Sequence, residues 1–179
     1  MSRIVSCFAF AFFALLLVVP QSSAQTRWQE TTASDGSFSF AVPATPKEER
    51  RSGVHYDLPS ESLIFIAKTP RLAFIFAGRT KYHENAAVPA RGELQANADN
   101  FAKSVDGKLT TQRFFTWSGS GGDSFEAHES IIAGDRGTFR QLYVIDGKTV
   151  YGVIAGPLNP DNEADIDRFF GTLKINKKR

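Results

Sequence analysis

Cysteine is nearly missing from this sequence of 179 residues: there is one, Cys7, so no intrachain disulfide can form. A small scaffold held together by bridges is thereby excluded, and the fold has to rest on a hydrophobic core. An excess of either charge is missing too. The 21 lysines and arginines are balanced by 19 aspartates and glutamates, for a net charge of +2. That is too near neutrality for a phosphate-tracking or strongly membrane-attracted surface, so no nucleic-acid partner is expected. The most apolar run, residues 8–19, falls short of the roughly 20 residues that a bilayer-spanning helix needs. Histidine is scarce. His55, His83 and His128 belong to no H-x-x-x-H or H-E-x-x-H pattern, and no metal or other cofactor is expected. A G-x-S-x-G nucleophile elbow is absent, and Gly119-Ser120-Gly121-Gly122 lacks the lysine and following helix of a phosphate cradle.

What is present begins with a leader. Arg3 precedes the apolar run, Pro20 ends it, and Ser22 and Ala24 place small residues at the −3 and −1 positions of a cleavage site. Residues 1–24 are therefore read as a signal peptide and residues 25–179 as the mature chain, the alternative being an uncleaved anchor. Cleavage removes Cys7 and Met1, and Arg3 alone among the charged residues. A lipid-attachment cysteine would have to follow the apolar run, whereas Cys7 precedes it. The expected location is the periplasm or the extracellular space, with no membrane span after cleavage.

At 42% hydrophobic and 22% charged residues, the chain has a globular composition. Residues 28–32 and 37–42 read as two strands around the turn signal Ser34-Asp35-Gly36. Pro43, Pro46 and the charged residues 47–51 then break the pattern, with an edge strand near 53–58. Residues 63–67 fit helix or strand, while 72–78 are apolar on both faces, as an interior strand requires. From 88 to 105 the period becomes helical. Leu94, Ala98, Phe101, Ala102 and Val105 share one face, with Glu93, Gln95, Asn97, Asp99, Asn100 and Lys103 on the other, and Asp106-Gly107 forms the stop. Four strands follow as a meander over 109–117, 124–133, 138–145 and 149–155. Asn159-Pro160 then opens a second helix whose apolar face is Ile166, Phe169 and Phe170, and residues 173–175 add a last short strand before the basic Asn176 to Arg179. No repeat or linker divides residues 25–179, which form one α+β domain, an antiparallel sheet with helices packed on it.

Hairpin register suggests one place for a ligand. A turn at Asp135-Arg136 sets His128 opposite Tyr143 and Ser130 opposite Gln141, with Glu126 two residues along on the same face. A next turn at Asp146-Gly147 sets Val150 beside Tyr143 and Gly152 beside Gln141, and a glycine there leaves room above the sheet. Glu126, His128, Gln141 and Tyr143 are thus the candidate small-ligand patch, the alternative being ordinary cross-strand pairs. On the opposite face Arg140 lies diagonal to Glu129 and forms a salt bridge. Core packing accounts for most aromatics, since a carbohydrate platform would need several exposed on one face.

The order of elements, from Asp35-Gly36-Ser37-Phe38-Ser39-Phe40 and Val42-Pro43, through a central helix and a meander carrying Tyr151, to Arg168-Phe169-Phe170-Gly171-Thr172-Leu173, resembles the PsbP-like domains found in many exported bacterial proteins. The resemblance implies an α-β-α sandwich and an accessory or binding role, and it matches no functional residue to a position here. Without an assembled catalytic constellation, the expected function is a non-enzymatic accessory domain of the cell envelope with a protein partner. A small-molecule or lipid-binding module is the alternative and an unrecognised hydrolase the third choice. N-terminal sequencing of the exported protein is expected to read Gln25 first, and retention of the intact leader in the membrane would show the anchor instead.

Overall fold

Alternation and turn chemistry give ten strands and two helices among the described residues of the computed structural model, which are 27–119 and 122–176. Residues 1–26 (which include the expected leader), Ser120-Gly121 and the basic Lys177 to Arg179 lie outside the described residues. The strands are β1 (Gln29–Thr32), β2 (Phe38–Val42), β3 (Lys47–His55), β4 (Leu58–Ala67), β5 (Phe74–Tyr82), β6 (Gly107–Ser118), β7 (Ser124–Gly134), β8 (Gly137–Asp146), β9 (Thr149–Gly156) and β10 (Lys174–Ile175). The helices are α1 (Ala90–Ser104), between β5 and β6, and α2 (Glu163–Gly171), between β9 and β10. Two sheets form among the described residues, and all their strand pairings are antiparallel. A seven-stranded sheet runs β3-β4-β5-β9-β8-β7-β6 and a three-stranded one runs β1-β2-β10.

The large sheet is covered on both faces. On one, α1 sets Leu94 and Ala98 against Tyr82, Tyr143, Ile145, Val150 and Ile154. On the other, Phe38 and Phe40 of the small sheet and Ile166 and Phe169 of α2 pack on Leu63, Ile75, Val144, Tyr151 and Val153. Alternate residues of each central strand therefore enter different cores, which is why residues 72–78 read as apolar throughout.

Four local readings need correction. The charged residues 47–51 do not break the chain but form most of β3. As an edge strand with neither face covered, β3 needs no apolar alternation, and its charges guard the open edge. The β3–β4 turn is made by Tyr56 and Asp57, both at positive φ (52° and 59°), a type I′ geometry without the usual glycine signal. In the β8–β9 hairpin the turn residues are Gly147 and Lys148, so Asp146 pairs with Thr149, Tyr143 with Gly152 and Gln141 with Ile154. Gly147, at φ 57°, is the first central residue, as in a II′ turn, and not the second. Last, α2 starts at Glu163 because Asn159 is spent on a turn, accepting from the Asp161 amide, while the Asn162 side chain bonds to the Arg71 and Pro157 carbonyls. At the end of α1 the left-handed residue is Asp106 (φ 52°).

Phe101 is half-buried, stacked on Phe74 with centroids 5.9 Å apart and edge-on to Phe139, whereas Leu94 is wholly enclosed. Leu94→Ala is expected to cost roughly 3 kcal/mol in urea unfolding, within the range for a fully buried leucine, and Phe101→Ala roughly 2 kcal/mol, below the range for a fully buried phenylalanine. The reverse order would show that α1 sits in a different rotation on the sheet.

Candidate functional site

The register that defines the sequence-derived patch holds between β7 and β8, where His128 faces Tyr143 and Ser130 faces Gln141. The patch lies beneath α1. His128 and Gln141 are 0% exposed, Tyr143 is buried, and only Glu126 reaches solvent, where it pairs with Arg91 of α1 at 2.9 Å. The room expected over Gly152 is taken up by Tyr143, whose ring would stand 2.6 Å from any Cβ added there. Gln141 donates to Ser130 Oγ at 2.6 Å, but its Oε1 and both ring nitrogens of His128 have no hydrogen-bond partner. Phe114 lies 4.4 Å from the imidazole, and Arg91 lies over Phe114 from outside. Burial drives the His128 pKa down against the opposing pull of Asp99 on α1, so the ring is held neutral.

Sequence periodicity set Glu93 on the solvent side of α1, yet it is 1% exposed. Its carboxylate accepts from the hydroxyls of Tyr82 and Tyr56 (2.7 Å for Tyr56), from Asn97 Nδ2 at 2.7 Å, and pairs with His55 Nε2 at 3.3 Å. Burial alone would raise its pKa, but these donors together hold it below the usual range, and the charge persists. Glu93 in turn raises Tyr56 to about 12. The rings of His55, Tyr56 and Tyr82 pack on one another with centroids 4.5–6.1 Å apart. This cluster fastens the β3–β4 turn to α1 and β5. The legible signal was Tyr82, which shares a strand face with Phe74 and Phe76 and therefore needed a buried partner for its hydroxyl.

A second buried charge lies on the opposite face. Arg79 is 5% exposed, on the same side of β5 as Ile75 and Ala77. Its Nε and Nη2 donate to Asp35 Oδ2 (2.9 and 2.6 Å), Nη2 also to Glu61 Oε1 (2.7 Å), and Nη1 to the Glu61 carbonyl. Burial would raise the Asp35 carboxyl, but Ser37 and Arg79 outweigh it and hold it at about 2. A charged residue at a core-facing strand position always requires such partners. The sequence thus implied a buried ion pair at Arg79, without saying that the β1–β2 turn would supply it. Beside Arg79 a cleft of about 500 Å³ opens to solvent. Three strands away on the same face, Glu129 binds both Arg113 and Arg140, the second being the diagonal pair expected from register.

No family model matches the chain, and no curated protein sequence matches it. In overall shape it is similar to the solution structure of cyanobacterial PsbP (CyanoP) from Synechocystis sp. PCC 6803. The match covers 97% of this chain and 99% of that one, with a TM-score of 0.53 and 8% sequence identity. The resemblance to PsbP-like domains thus holds as a likeness of fold.

Because His128 is neutral in the folded protein and near 6.5 when unfolded, its contribution to stability is intact above that value and falls as the unfolded chain takes up a proton. Between pH 7 and pH 5 the wild type is expected to lose up to about 2 kcal/mol relative to His128→Leu, read from urea midpoints. Parallel curves for the two proteins would mean that the ring finds an acceptor.

Proposed function

We propose that this protein is an exported, non-catalytic accessory domain of the bacterial cell envelope that docks a partner protein through the tip of its β3–β4 hairpin. The observation that carries the reading is how that tip is held. Val54 is 76% and Tyr56 43% exposed at the end of the hairpin, Val54 on the sheet face that Leu63 shares and Tyr56 turned towards α1, while the Tyr56 hydroxyl is locked on the buried Glu93 carboxylate. An exposed aromatic side chain fixed before any partner arrives, and an exposed β-branched one with few rotamers to lose, lose little conformational entropy on binding, which favours a docking knob.

The PsbP-like fold and the leader motif support the accessory and export parts of the reading. In it, residues 1–24 are removed and residues 25–179 form one domain, located in the periplasm or outside the cell. Among the described residues no helix is long and apolar enough to cross a membrane. The layering, α1 on one face of the large sheet and α2 on the other, supports the α-β-α sandwich, with β1-β2-β10 added beside α2.

The mature chain has no thiol once Cys7 is gone, so Val54→Cys creates a unique handle for a cross-linker. The expected result is an adduct with one envelope protein. Once purified, that protein should bind the wild type and bind Val54→Glu at least about ten-fold more weakly, with the melting temperature unchanged. Equal binding of both proteins would remove the hairpin tip from the interface.

A further inference from the structure

The cleft beside Arg79 lies where the small sheet ends and one face of the large sheet is left bare. Pairing brings one residue from each of four adjacent strands into a row on that face: Glu61 of β4, Lys81 of β5, Thr149 of β9 and Asp146 of β8. The next row inward holds Arg79 and Tyr151, and the β1–β2 turn with Asp35 forms the opposite wall. At about 500 Å³ the cleft falls within the range of small-molecule sites, and every residue that lines it carries a polar atom in its side chain.

We propose that this cleft binds a neutral, polyhydroxylated ligand, a sugar or short glycan. The fixed charges are already matched. Arg79 spends four of its five N–H groups on Asp35 and Glu61, and what remains is Lys81 at one end of the cleft against Asp146 at the other. Arg50, outside the cleft, pairs with Glu61 at 3.1 Å, so the carboxylates of Asp35, Glu61 and Asp146 face three basic groups, Arg50, Arg79 and Lys81, and neither an anion nor a cation gains a net partner. A ligand whose hydroxyls both donate and accept can use Lys81, Thr149 and the carboxylates at once, and it leaves none of them unpaired. The groups are also held in place. Ser37 donates its amide and hydroxyl to Asp35 at 3.0 and 2.6 Å, and Asn176 is tied by its own amide and side chain to Ser37 and Gly36. Tyr151, pushed up to about 12 by burial and by Asp146, stays a neutral hydroxyl in the floor. Planar polar groups fixed in advance suit adjacent hydroxyls, and no aliphatic residue lines the cleft to hold a lipid chain.

The test is a saturation-transfer NMR titration of the mature protein with maltose, cellobiose and di-N-acetylchitobiose, with inorganic phosphate and putrescine as charged comparators. At least one neutral disaccharide is expected to saturate, with an affinity that changes less than about two-fold between roughly 50 and 500 mM salt. Lys81→Ala and Asp146→Asn should each weaken it about five-fold without moving the melting temperature. Binding should persist in Val54→Glu, which separates this site from the hairpin tip. The proposal is overturned if no disaccharide saturates, if only phosphate or putrescine binds and does so in a salt-dependent way, or if both cleft variants bind as the wild type does.

Discussion

A guanidinium that cannot be deprotonated is buried in a sheet face, and the position of a whole layer follows from it. Arg79 enters the core side of β5 fully charged, so its environment must supply anions or expel it. Asp35 reaches it from the β1–β2 turn, and Glu61 from β4. The first contact pins the small sheet over Phe65 and Tyr151, where Phe38 and Phe40 complete the larger core. Removing one carboxylate would leave a buried charge partly unpaired, a loss far larger than that of an exposed ion pair.

The two faces of the large sheet handle buried polarity in opposite ways. Under the small sheet, Arg79 and Asp35 are ionised and matched. Under α1, Glu93 is ionised and surrounded by the Tyr56 and Tyr82 hydroxyls, the Asn97 amide and the His55 ring, while His128 is neutral and left with both ring nitrogens unpaired. Charge density decides the difference: a carboxylate draws hydroxyl donors from both the β3–β4 turn and β5, whereas an imidazole that stays uncharged can be enclosed by Phe114 and Tyr143 at a smaller cost.

The fold was legible wherever one residue fixed one geometry. Phe38, Phe40 and Val42 alternate, Leu94 and Ala98 recur at helical spacing, and the short β7–β8 turn brought His128 opposite Tyr143. It was not legible where a strand faces water on both sides, as in β3, because its charges follow no period. Nor did the sequence separate glycine in the first turn position from glycine in the second, which moved Gly152 from Gln141 to Tyr143. The site was less legible than the fold. Glu93 looks like an ordinary solvent-facing helix residue until Tyr56 and Tyr82 are brought to it from positions 37 and 11 residues away. Cross-strand partners within one hairpin can be counted from the turn, whereas partners that meet through tertiary packing cannot.

The strand order also bears on how the chain assembles. The seven strands of the large sheet form two contiguous meanders, β3-β4-β5 and β9-β8-β7-β6, which meet along one seam, β5 against β9. Each meander can zip up through short loops at low entropic cost, but the seam must bring Phe74 to Gly156 across the full length of α1 and three strands. In a chain emerging N-terminus first, β5 therefore waits with one edge bare until β9 arrives. The apolar residues 74–77 on that edge are the part of the nascent protein most in need of protection from stray strand pairing.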